Sequence, residues 1–126
     1  YVPDDWERVS PGQRYCTLRH EAIHVAQFRR FTFPGMVFLY LLLPLPVGFA
    51  PGRAWLEWEA YKETLVANWQ VYGEARAKSP EMAQHIVARF VGPEYAWMWM
   101  SGRHVRRWVA RAVDHLDRHP PVALTF

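Results

Sequence analysis

Apolar positions fall into periodic runs separated by proline and glycine. Residues 2–9 form a polar lead-in. Ser10–Pro11 then reads as a helix start, because Ser10 can cap free amides and Pro11 suits the first turn. No breaker follows from Gln13 to Phe33. This predicts one long helix over about 11–31, ended before Pro34–Gly35. A second long helix is predicted over 54–77, after Pro51–Gly52. Ser79–Pro80 starts a third, running to about residue 90 and closed by Gly92–Pro93. A fourth covers 94–119, with a weak point at Ser101–Gly102 and a stop at Pro120–Pro121.

Residues 36–50, MVFLYLLLPLPVGFA, depart from this pattern. No charged residue occurs between Arg30 and Arg53. That length suggests a membrane span, but Pro34, Pro44 and Pro46, with Gly35 and Gly48, interrupt it. The unbroken apolar run, 36–43, is too short to cross a bilayer as a helix. A buried strand or extended segment is favoured over a membrane-associated one. An extended segment has a free edge that could pair with a peptide strand. The expectation is a mainly α, compact helical domain of about four helices over residues 1–126, with one short strand or extended apolar segment. No repeat, low-complexity tract or linker divides it.

The chain has 126 residues, of which 51% are hydrophobic and 16% aromatic, a composition that excludes intrinsic disorder. A single cysteine, Cys16, excludes an internal disulfide framework and any multi-cysteine zinc site. It fits a reducing compartment and favours a cytoplasmic location. Tyr1 in place of methionine reads as a processed or trimmed end. The net charge is +3. Arg103, Arg106, Arg107 and Arg111 cluster, which could neutralise phosphates. No nucleic-acid motif accompanies them and Asp114 and Asp117 follow, so a solvated helix face is favoured over nucleic-acid binding.

The chemistry lies in the first long helix, at Arg19–Gln27, RHEAIHVAQ. Positions four apart on a helix share a face, so His20 and His24 point the same way. Two imidazoles so placed can take two corners of a zinc tetrahedron. Glu21 flanks that face, where it can act as general base on a water that zinc has acidified. A hydrogen-bonded pair of helix histidines would show the same spacing, so a third ligand decides the matter. No histidine or glycine stands at the next spacings after His24, and the third ligand must come from elsewhere.

The second long helix carries WLEWEAY, Trp55–Tyr61. Glu57-Trp58-Glu59-Ala60-Tyr61 resembles the Glu-x-x-Ala-Asp ligand helix of gluzincin metallopeptidases. The compact members, the minigluzincins, are the nearest in size. The resemblance rests on two blocks, Leu18–Gln27 and Trp55–Tyr61. It implies His20, His24 and Glu57 as zinc ligands, Glu21 as base, and hydrolysis of a peptide or protein substrate. Periodicity also favours Glu57 over Glu59. From Glu57 the next turns bring Ala60, Tyr61, Thr64, Leu65 and Asn68, a face suited to helix packing. From Glu59 they bring Lys62, Glu63 and Val66. Tyr61 stands where the family usually has an aspartate that orients a ligand histidine. Only nineteen residues precede His20, where the family usually has a substrate-binding sheet; residues 36–43 are the candidate substitute.

A hydrolase also needs a group to stabilise the oxyanion, for which the family uses a tyrosine or histidine after the ligand glutamate. Tyr95 and His104 are the candidates, each weighed against a packing or surface role. His85, His115 and His119 have no ligand spacing and read as structural or exposed. Trp97–Met100 read as core, and Cys16 as a small buried hydrophobe. Gln27, one turn from His24, reads either as a hydrogen-bonding neighbour of the site or as exposed. The expected function is a zinc-dependent metallopeptidase. The alternative is a non-catalytic zinc site or degenerate peptidase-like interaction module.

Overall fold

Three of the helices begin where a serine offers its hydroxyl to amides that the helix itself cannot satisfy. The computed structural model describes residues 6–37, 51–92 and 101–125. A single 3-10 turn, Trp6–Arg8, leads into α1, Pro11–Val37. Ser10 Oγ accepts from Gln13 N at 3.3 Å. Helix α2 runs Pro51–Tyr72, α3 is the single turn Glu74–Ala77, α4 is Pro80–Val91 and α5 is Gly102–Arg118. Ser79 Oγ caps α4 through Met82 N at 3.1 Å, and Ser101 Oγ caps α5 through His104 N at 3.3 Å. Such caps are each worth about 1 kcal/mol. The fold is mainly α, with no strand among the described residues.

Boundaries of the first two predicted helices differ from expectation, α2 already starting at Pro51. The helical path of α1 breaks at Thr32, φ 58° and ψ 170°, and a last turn continues to Val37. Pro34 follows that break, in a turn whose first amides need no partner along the helix. The predicted 54–77 helix is two helices, because Gly73 takes φ 88° between α2 and α3. Glycine alone adopts that conformation without a Cβ penalty. The fourth helix is described only from its predicted weak point at Ser101–Gly102, and residues 94–100 lie outside the described residues. So does most of the extended apolar segment; Met36 and Val37 belong to the last turn of α1. No described helix is long and apolar enough to cross a membrane.

Helix α2 is the centre of the domain. It packs on α1, α3 and α5, and α4 packs on α5. Its Tyr61, Leu65 and Trp69 recur at helical spacing and meet Met82, Ile86 and Phe90 of α4 and Val105, Val109 and Leu116 of α5. Phe90 is the hub, with ring centroids 5.6 Å from Tyr61, 6.1 Å from Trp108 and 6.4 Å from Trp58. On the α1 side the contacts are smaller and more polar. Ala60 and Ala67 are fully covered. Gly12 lies so close to α2 that a Cβ there would stand 2.6 Å from Val71 Cγ1. Arg19 pairs with Glu63. Gln70 accepts from Tyr15 Oη at 3.4 Å and donates to Val122 O at 3.1 Å, while its carbonyl accepts from Leu124 N at 2.8 Å. One residue thus ties α1, α2 and the C-terminal tail together.

Candidate metal centre

Helices α1 and α2 bring His20, His24 and Glu57 to one point. Their ligand-capable atoms lie within 4.8 Å of one another. The two Nε2 atoms are 3.3 Å apart, and Glu57 Oε2 is 3.6 Å from His24 Nε2 and 4.0 Å from His20 Nε2. The four-residue spacing on α1 supplies the imidazole pair, whose rings meet edge to face at 5.0 Å. Packing of α2 against α1 supplies the carboxylate. Glu57 is only 4% exposed. Glu59 belongs elsewhere: it pairs with Lys62 at 2.7 Å on the solvent side of α2. Two nitrogens and one carboxylate oxygen form a donor set that could hold a metal ion.

Electrostatics favour the ligand form of His20. Burial, with His24 adding to it, holds its pKa down at about 4, so the ring is neutral at physiological pH. Thr64 Oγ1 lies 3.0 Å from His20 Nδ1, and Gln27 Oε1 lies 3.1 Å from His24 Nδ1. Gln27 is buried. Tyr61, where the resembled motif has aspartate, is also buried and meets the His20 ring edge to face at 4.9 Å.

An open cleft of about 820 Å³ lies along one side of the cluster. His20 and Glu21 border it, together with Tyr61 and Thr64 of α2 and His85 of α4. Glu21 is half-buried on this wall. His24 and Glu57 do not line the cleft, so the cluster meets it through His20. Cys16 is in the wall too; burial pushes its thiol pKa up, which disfavours the nucleophilic thiolate.

The other candidates divide. His104 is exposed in the first turn of α5, its ring 5.6 Å from Trp108, and it does not line the cleft. This placement argues against its stabilising an oxyanion there. Tyr95 and residues 97–100 lie outside the described residues. His85, read as structural or exposed, is exposed and also borders the cleft. Spacing within one helix could not reveal a residue that α4 carries to the site. Thr64 was on the correct face of α2, and Gln27 one turn from His24; those were the signals available for the two supporting groups. The four clustered arginines all project from the exposed side of α5. Protein-family models, curated proteins and solved structures yield no match to this chain.

Proposed function

We propose that this chain is a zinc-dependent hydrolase acting on peptide bonds. The observation that carries the reading is the convergence of His20, His24 and Glu57 from two helices, beside a cleft bordered by Glu21. Zinc supplies polarisation of a carbonyl and acidification of a water. The three side chains hold the ion, and the buried Glu57 offsets part of its charge. Glu21 takes the proton from the attacking water and returns it to the leaving nitrogen. The cleft is within the size range of small-ligand sites. The choice of a peptide bond rests on the two motifs that resemble gluzincins.

The test combines metal content with cleavage of a mixed peptide library. Glu21→Gln should keep one zinc per chain and lose activity by about 10²–10⁴-fold, the range for a general base. His24→Ala and Glu57→Ala should lose both. A Glu21→Gln protein that cleaves as fast as the parent would refute the assigned mechanism. A second reading is a metal staple between α1 and α2, favoured by Tyr61 standing where the resembled motif has a carboxylate. Zinc binding without cleavage of any library member would support it.

A further inference from the structure

The hydrogen bonds behind the two histidines decide which nitrogens carry protons. A threonine hydroxyl has one proton to give, and Ala60 O, 3.2 Å from Thr64 Oγ1, stands in reach to accept it. Toward His20 Nδ1, 3.0 Å away, the Thr64 oxygen can then only accept. In that arrangement His20 Nδ1 carries the hydrogen. The Gln27 amide is oriented in the same way: its nitrogen donates to Leu56 O at 2.9 Å, and rotating the amide would set oxygen against oxygen. Its Oε1 therefore faces His24 Nδ1 at 3.1 Å as an acceptor, and that nitrogen also carries the hydrogen.

Both Nε2 atoms are left with bare lone pairs, 3.3 Å apart and facing Glu57 Oε2. Two nitrogen acceptors and a carboxylate gathered on one point suit a cation. We propose that Thr64 and Gln27 are positioning residues that lock His20 and His24 as Nδ1–H tautomers, so that the metal point is formed before metal arrives. The inference rests on the reading of the three side chains as ligands. It also assigns Thr64, one turn beyond Tyr61 on α2, the task of holding the first ligand histidine. Metal-binding histidines commonly need such a partner on the second ring nitrogen.

The test reads the tautomers directly. Long-range proton–nitrogen NMR at neutral pH on the metal-free, ¹⁵N-histidine-labelled protein should show Nδ1–H on both rings. Zinc affinity, measured by competition with a chromophoric chelator, should fall about 10–100-fold in Thr64→Val and in Gln27→Leu. Thr64→Ser keeps the acceptor and should restore binding to near the parent value. An Nε2–H tautomer on either ring, or a proton shared between the two Nε2 atoms, would overturn the lock. So would a folded Thr64→Val protein that binds zinc as tightly as the parent. A parent that takes up no zinc would overturn the ligand reading on which the proposal rests; the tautomer signals, read without metal, still decide the lock separately.

Discussion

Helices α5 and α1 use the same twenty amino acids in opposite ways. In α5, Val105, Val109 and Leu116 point inward while Arg103, Arg106, Arg107 and Arg111 point to water. In α1, polar groups turn inward: Gln27 is buried, and His20 and His24 are largely covered. Leu18, Val25, Phe28 and Phe33 are left exposed, Phe33 at 66%. A helix selected for packing alone would not bury an amide and two imidazoles while leaving two phenylalanines wet. Such reversals concentrate where a chain has something to do besides fold. The α4–α5 side is built as a packed apolar core, and the α1–α2 side gathers buried polar groups.

That division can be broken most forcefully at Phe90. Phe90→Ala removes a fully buried ring from between Trp58, Tyr61 and Trp108. It should cost about 3–5 kcal/mol by urea unfolding. The fraction that remains folded should bind zinc like the parent; weaker binding there would show that the two sides are not separable.

The next largest effect is on pH dependence, measured without metal. His20 stays neutral in the folded protein down to about pH 4, whereas the unfolded chain takes up this proton near the ordinary histidine value of 6.5. Between those values the unfolded state holds more protons, so stability must fall as pH falls. His20 should cost the metal-free fold ~3 kcal/mol across that window, with no further loss below it. Its contribution is absent above about pH 6.5. His20→Gln should flatten this part of the profile. A parent whose stability is level from pH 7 to 4 would contradict the burial of the ring.

The smallest effect belongs to the outer face of α1. Leu18→Gln or Val25→Gln should change stability by no more than about 0.5 kcal/mol, as expected for exposed positions. A loss several times larger would show that this face is covered in the working protein.

Much of this was readable in one dimension. Ser10, Ser79 and Ser101 announce helix starts because capping is local chemistry. His20 and His24 share a face by helical period, and the small-residue face of α2 favours Glu57 over Glu59. The break at Gly73 was missed, since a glycine inside a periodic run signals tolerance as often as a turn. The kink at Thr32 had no sequence signal beyond the Pro34 that follows it. His85 reaches the cleft only because α4 packs beneath α2, and Thr64 becomes a histidine partner only once α1 lies alongside. Contacts between helices far apart in sequence cannot be read from spacing within either one.

That distance along the chain has a consequence for the order of events in folding. The contacts that build the metal point span long stretches, 44 residues from His20 to Thr64 and 29 from Gln27 to Leu56. The Phe90–Trp108 contact of the α4–α5 side closes a much shorter loop. Closing a longer loop costs more chain entropy before any contact repays it. By this measure the α4–α5 contacts close at a lower entropic cost than those between α1 and α2. His20 and His24 share one helix from the moment α1 forms, and Glu57 joins them only when α1 docks against α2.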